Sequence, residues 1–459
     1  MGDPAGLDSS RNLPTTLRKR TQLGMLIFAA VAAASMWFYV VRILVPYQVA
    51  DAAAHQRPRG NLSDLYPRWL GARELLLHHR NPYGDDVTRE IQHGYYGRAL
   101  DPSLPNDPKD QEGFAYPVYV AFLLAPLIGL PFPLLQTAFY WFLALLTAAS
   151  VWFWLRTLRW RLPLVGVVPC IVLTLGSFPA VQGIKLQQLS LLVAALLAAS
   201  VAASVNGSLF VGGALLALAT IKPQLAWPLV VWLLVWAASD WRSRRKLVFG
   251  FALTMTVLLV GAEVVLPGWW RMFAGAIAQY RQYTQNQSVL EVILNQLVGP
   301  AAGGTVGRVG AQFLAALAVL ACGWLLGRLR ANQAGTVGFG GATALVLALT
   351  VLVVPMYAPY NQLLLLPAIL LLIRDRTFFT TRSRALRFGY VVGALAVAWQ
   401  WIASFSLSAT YLLGARASAL SRWQWPFFAT FALPMLVFVL VFLDVQGAQH
   451  EVTSNSEHG

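Results

Sequence analysis

Two charged residues stand where chemistry at a membrane boundary would want them. Asp64 lies in "NLSDLYPRWLGARELLLHHRNPY" (61–83), the first polar stretch after the first long apolar run. Lys222 lies in "ALLALATIKPQLAWPLVVWLL", between two apolar runs and directly before a proline and an amide. A carboxylate at a lipid–water boundary is partly desolvated, which raises its pKa and suits it to take a proton from a hydroxyl. A lysine beside a helix opened by Pro223 joins its ammonium to that helix's N-terminal N–H groups, which suits an anion such as phosphate. Each residue also has a purely structural reading. Ser63 or Asp64 is a candidate N-cap, with Pro67 tolerated in the first turn, and Lys222 is a candidate for snorkelling to the interface.

Further polar residues extend the pattern. Lys185, Gln187 and Gln188 in "QGIKLQQLSLL" form a second polar group at a helix start, suited to an anion or to capping. Arg271 and Arg281 in "PGWWRMFAGAIAQYRQYTQNQS" (267–288) belong to an amphipathic segment expected to lie on the membrane surface, facing phosphate or lipid headgroups. Tyr66, Arg68, Trp69, Tyr83, Gln188, Gln224, Tyr357, Tyr360 and Asn361 are the candidate substrate contacts. The aromatics among them equally fit an interfacial belt, and Asn361 equally fits a helix cap.

Other chemistries find little support. His55, His78, His79 and His93 lack the helix-spaced pairing of a zinc site, and no metal-ligand cluster is expected. Cys170 and Cys322 lie inside apolar runs without ligand spacing and read as packing residues. The acids of "GDD" (84–86) and "DPSLPNDPKD" (101–110) read as loop and turn chemistry. There is no serine-hydrolase elbow, P-loop or dinucleotide glycine fingerprint, so no cofactor is called for and a soluble nucleotide donor is disfavoured.

The elements that must hold these residues follow from composition. The chain has 459 residues, 57% hydrophobic and only 12% charged, with a mean hydropathy of +0.58. A soluble fold cannot hide that much apolar surface, whereas lipid solvates it directly. Lipid offers the backbone no hydrogen-bond partner, so the spans must be helical, and the expectation is an all-α polytopic membrane protein. The net charge of +15 is compatible with nucleic acid. The cations instead cluster between apolar runs, which favours membrane orientation.

Placing "LRKR" (17–20), "RTLRWR" (156–161), "DWRSRRK" (240–246), "GRLR" (327–330) and "RDRTFFTTRSR" (374–384) in the cytoplasm predicts about twelve spans. They fall near 23–46, 134–156, 163–181, 187–204, 208–221, 224–239, 247–266, 309–328, 338–355, 362–373, 386–406 and 424–444. The first is read as a retained span rather than a signal peptide. The short, proline-broken stretch 116–132 is read as a re-entrant or membrane-surface helix. Residues 1–22 and 446–459 are then cytoplasmic tails around one transmembrane domain, 23–445. The loops 47–115 and 267–308, "IKLQQ", "IKPQ" and "PMYAPYNQ" all fall on the outer face, so the unusual polar residues share one side.

In their order along the chain, "SDLYPRWLGARELLLHHRNPY", "FAYPVYVAFLLAPLIGLPF", "QGIKLQQLSLLVAALLA", "ALATIKPQLAWPLVVWLLV" and "PYNQLLLLPAIL" resemble glycosyltransferase family 87. Where many members carry a double proline this chain has "YPV" (116–118). The resemblance implies a GT-C-like membrane enzyme that moves mannose, or arabinose, from a polyprenyl-phosphate donor to a glycolipid or glycan acceptor. It implies a bacterial-type plasma membrane, with the site facing outside. It also implies Asp64 as general base and Lys222 near the donor phosphate; Lys185, Arg271 and Arg281 are candidate further phosphate contacts on their own sequence context, not on the resemblance. An inverting displacement of this kind needs a carboxylate for the acceptor proton and cations for the leaving phosphate, without a dedicated metal.

Two other classes compete. A transporter or lipid flippase fits twelve spans, but such folds carry internal repeats and midplane ionisable residues. No repeat is evident here, and the marked residues map to span ends. A noncatalytic scaffold explains the hydrophobicity but not the one-sided polar residues.

Overall fold

The computed structural model describes residues 15–60, 63–101, 103–283, 287–299, 303–355 and 357–457. Helices carry the fold, and no strand occurs among the described residues. Each predicted span coincides with a helix or a bent helix pair. By length and composition six cross a bilayer: Thr21–Ala54, Phe132–Thr157, Trp241–Val265, Gly304–Leu329, Arg384–Leu412 and Arg416–Gln449. A seventh is added if Leu164–Leu175 and Phe178–Lys185, bent by 58°, count as one. The remaining apolar helices have 10–17 residues, and 17 residues reach only about 25 Å against a hydrocarbon core of about 30 Å. Six or seven crossings are thus supported among the described residues, and the expected count of twelve is not. Large apolar side chains such as Leu164 and Val264, each 75% exposed, face outward where lipid is the solvent.

Two departures from straight helix have local causes. The first span widens into a π-helical turn, Val40–Leu44, before continuing as Val45–Ala54. Pro46 has no N–H and its ring crowds the carbonyl four residues back; the wider turn, in which the Val45 N–H reaches the Val40 carbonyl, absorbs it. The bent pair breaks at Gly176–Ser177, and side chains satisfy the opened backbone. Trp401 Nε1 donates to the Gly176 carbonyl (2.8 Å), and the Phe178 N–H donates to Gln400 Oε1 (2.7 Å). Ser177 caps the second helix, and Pro179 stands in its first turn.

Close helix crossing needs small residues. Leu209–Leu218 packs on Trp241–Val265 through Gly213 and Gly250, where an added Cβ would come within 2.0 Å of Leu247 O and 2.1 Å of Phe210 O.

The two ends of the helical body differ in chemistry. At one end, buried Arg244 donates to the carbonyls of Trp236, Arg330, Ala331 and Asn332 at 2.8–3.2 Å. Arg374 donates there to Leu158 O. These bonds draw the basic clusters 156–161, 240–246, 327–330 and 374–384 together. The "LRKR" backbone continues the first helix, while its side chains lie outside the described residues. The expected C-terminal tail is helical, since Ala432–Glu457 runs through it.

The helices Pro223–Ser239 and Val337–Val353 run between this end and the other. There a cap forms from Tyr66–His78, Asp85–Tyr96, the loop segments 97–101 and 103–119, and Trp269–Tyr283. Arg80 staples its first two helices, bonding Glu74, Asp86 and Glu90, each at 2.8 Å. The stretch 116–132 provides only Val120–Leu124 and a 3-10 turn, Ala125–Leu127, too short to cross.

Candidate functional site

Asp64 does not cap the helix that follows it. That helix starts at Tyr66 with Leu65 in the capping position and no side-chain cap. The Asp64 N–H donates to Leu186 O (2.8 Å), tying the loop to "IKLQQ". One turn later Arg68 Nη1 donates to the Asp64 carbonyl (2.7 Å). With its backbone held from both sides, the Asp64 carboxylate turns inward and accepts from Gln188 Nε2.

Gln188 reaches Asp64 because the chain turns sharply before it. Gln187 adopts a left-handed φ of +50° between Phe178–Lys185 and Leu189–Val205, an unusual conformation for a residue with a Cβ. From the other side, Lys222 Nζ donates to Gln188 Oε1 (3.0 Å) and to Ser190 Oγ (2.7 Å). Lys222 occupies the non-helical junction before Pro223–Ser239 and is only 7% exposed. Its ammonium lies 5.7 Å from the Tyr116 ring centroid and 5.3 Å from that of Tyr360, close enough for cation–π attraction. Ser190 Oγ passes the chain on to Asn361 Oδ1 (2.9 Å). The outcome is one hydrogen-bonded line, Asp64–Gln188–Lys222–Ser190–Asn361, drawn from four distant chain segments.

This line borders a cavity of about 470 Å³. Of the residues singled out from the sequence, Asp64, Arg68, Gln188, Lys222, Gln224, Arg281 and Tyr360 line it. Asn361 is buried behind it. The others do not line it. Tyr66 and Trp69 pack on Phe132, with ring centroids 4.8 and 5.3 Å away. Tyr83 donates its hydroxyl to Tyr116 O (2.6 Å), bracing a wall of the cavity from outside. Tyr357 lies against Phe431 (4.5 Å). Lys185 ends the helix Phe178–Lys185, half-buried. Arg271 is exposed over Trp270 (4.9 Å).

Sequence reasoning missed Asp110, Glu112, Tyr116 and Tyr280, all in the lining, and Ser190 on the hydrogen-bonded line. Asp110 was expected to do turn chemistry, and it does accept from the Glu112 N–H (3.0 Å). The loop nonetheless folds its carboxylate inward. The one available signal was the acidic pair just ahead of the aromatic run 114–119.

Burial raises the pKa of Asp64; Arg68 and Lys222 oppose the rise and Asp110 adds to it. Burial likewise raises Asp110. Glu112 is held well above the ordinary carboxylate range by burial and by Asp110 and Asp64, with Arg68 opposing. A base tuned upward in this way, beside a cation and a helix N-terminus, can accept a proton while an anion departs nearby. No group of three or more His, Cys, Asp or Glu among the described residues is arranged to hold a metal ion.

Two neighbouring spaces differ from this one. An apolar cavity of about 340 Å³, lined by Leu123, Leu127, Phe139, Phe142 and Leu192, shares Ile221 with it. A larger cavity of about 800 Å³ lies at the basic end, between Trp324, Arg328, Arg374 and Asp444. There Arg374 is closed onto Asp375 (2.6 Å), so size alone does not mark the site. The smaller cavity joins a desolvated carboxylate to a buried ammonium.

The family model for glycosyltransferase family 87 matches residues 114–355, more than half of the chain and including Tyr116, Gln188 and Lys222. Searches of curated proteins and of solved structures give no match.

Proposed function

The chain belongs to glycosyltransferase family 87, and on that premise we propose that it transfers a sugar from a polyprenyl-phosphate donor to a glycolipid or glycan acceptor. Mannose is the favoured sugar, with arabinose the other candidate. The observation that carries the proposal is the pairing of Asp64 with Lys222 through Gln188 in one cavity.

In the proposed reaction an acceptor hydroxyl attacks the anomeric carbon and its proton passes to the Asp64 carboxylate. The bond from that carbon to the phosphate oxygen breaks, and the electron pair leaves with the phosphate monoester. Lys222 and the N-terminus of Pro223–Ser239 hold the developing charge, and Arg281 lines the same space. A single displacement inverts the anomeric configuration. The Gln188 amide bonds both partners, so base and phosphate site keep a constant separation. The adjoining apolar cavity suits the first isoprene units of the donor, because Ile221 borders both spaces.

The basic end is proposed to face the cytoplasm and the cavity the opposite side of a bacterial-type plasma membrane, in keeping with the positive-inside rule. The full twelve-crossing path belongs to the same proposal. The test is Asp64→Asn in purified protein given polyprenyl-phosphate mannose. Loss of a positioned general base should lower kcat by roughly 10²-fold or more, and undiminished turnover would remove Asp64 from the mechanism.

A further inference from the structure

Two arginines in the first loop each face three carboxylates, and the structure treats them in opposite ways. Arg80 is closed onto Glu74, Asp86 and Glu90 at 2.8 Å each. Arg68 is the common cation of Asp64, Asp110 and Glu112, yet among the described residues its side chain hydrogen-bonds a backbone carbonyl alone and lies over the Tyr116 ring (4.7 Å). Its buried Nε has no hydrogen-bond partner among the described residues. Neither Asp110 nor Glu112 closes an ion pair among the described residues, and both line the 470 Å³ cavity. A network built for stability would close as the Arg80 network does. Carboxylates half-buried in a cavity wall with no cation closed on them call for a partner from outside.

The open carboxylates are held in place from behind. Gln92, 2% exposed, donates through Nε2 to Gln111 O (3.1 Å) and Gln111 Oε1 (2.9 Å). Tyr96 donates to Asp110 O (3.3 Å). Glu112 is fixed at a left-handed φ of +52°, a strained conformation for a residue with a Cβ.

The cavity is therefore polarised. Lys222 and the helix N-terminus mark one part, where the nearest carboxylate, Asp64, is reached through Gln188. Asp110 and Glu112 gather at another part, around Arg68. A donor phosphate is drawn to the first and repelled by the second, where three carboxyl groups share the single cation Arg68, so that net negative charge remains even with Glu112 protonated. Hydroxyl groups suit the second, because O–H donors to carboxylates make short, strong bonds.

Resting on the transferase proposal, we infer that the turn 110–112 is the acceptor subsite, and that the acceptor end it takes is an uncharged, polyhydroxylated sugar. A carboxylate or phosphate on that sugar would meet like charge. A hydroxyl neighbouring the attacked one would donate to Glu112 or Asp110 and hold the nucleophile toward Asp64.

The experiment is binding without donor, so that it does not depend on transfer. Full-length protein in lipid nanodiscs is titrated calorimetrically with p-nitrophenyl mannopyranoside and with p-nitrophenyl glucuronide, which carries a carboxylate. The unaltered protein should bind the uncharged glycoside about tenfold more tightly or better, and Glu112→Gln or Asp110→Asn should weaken it by about tenfold. Both replacements should also bring the two glycosides closer in affinity, while the donor KM in a transfer assay stays unchanged. Thermal melts confirm that each isosteric variant is folded. No preference for the uncharged glycoside, no binding of it, or variants that alter donor KM instead would overturn the inference. Failure of the transferase proposal would show separately, as absence of any transfer from prenyl-phosphate sugars.

Discussion

Replacing Lys222 by Met keeps the length of the side chain and removes one positive charge from a position only 7% exposed. The local fold should tolerate the change. Gln188 Oε1 and Ser190 Oγ each lose a donor at 3.0 and 2.7 Å, but the desolvation penalty of a buried ammonium disappears with them. The melting temperature should move by no more than a few degrees.

The effect on donor use should be much larger. A phosphate oxygen in van der Waals reach of the ammonium brings two unit charges to about 4 Å, worth roughly 4 kcal/mol at an effective dielectric of about 20. The helix N-terminus that remains supplies about 1–2 kcal/mol at a partly buried site. That contribution is present in both proteins and cancels in the comparison, so the net loss is about 4 kcal/mol, or roughly 10³-fold in kcat/KM for the lipid-phosphate donor. The assay is initial-rate transfer from labelled polyprenyl-phosphate mannose, with Lys222→Arg as the charge-retaining control. Because Lys222 also lowers the Asp64 pKa, the acid limb of the pH profile should move upward in the Met variant. Donor kcat/KM within about threefold of the unaltered protein, with an unmoved acid limb, would refute the phosphate role.

Arg68→Gln removes the main charge opposing the burial-driven rise of Asp64. Asp64 acts as a base only when ionised, so activity is lost as pH falls through its pKa. The variant's acid limb should lie at higher pH, as read from kcat/KM against pH. Lys185→Ala and Arg271→Ala remove cations that do not line the cavity; donor kcat/KM should stay within about twofold, as for exposed charges elsewhere. Ala138→Trp fills part of the 340 Å³ apolar space. It should raise KM for prenyl donors by about tenfold, at about 0.8 kcal/mol per excluded methylene, and leave a sugar-phosphate donor analogue without isoprene units unaffected.

The membrane architecture was legible because lipid allows the backbone few solutions. Apolar runs had to become helices, and basic clusters between them had to gather at one end. Leu158, Arg244, Arg330 and Arg374 do meet there. Boundaries were less legible. The run 163–181 breaks at Gly176–Ser177 because Trp401 and Gln400, more than 200 residues away in sequence, satisfy the opened backbone. Aromatic residues were the hardest to sort. Tyr66, Trp69 and Tyr357 pack on Phe132 and Phe431, whereas Tyr116 and Tyr360 face the cavity. Nothing in a tyrosine's sequence neighbours distinguishes those fates.

By itself the sequence determined the all-helical membrane body, the family, and the presence of an acid and a lysine at span ends. These follow from hydropathy, charge placement and short motifs, which act over a few turns of chain. Only the tertiary structure decided that Asp64 leaves the helix cap to others, that Gln188 joins it to Lys222, and that Asp110 and Glu112 turn inward. A loop carboxylate looks the same in sequence whether water or a cavity surrounds it. Its surroundings depend on the packing of Asp85–Tyr96 and Trp269–Tyr283 over the site, contacts made between segments far apart along the chain.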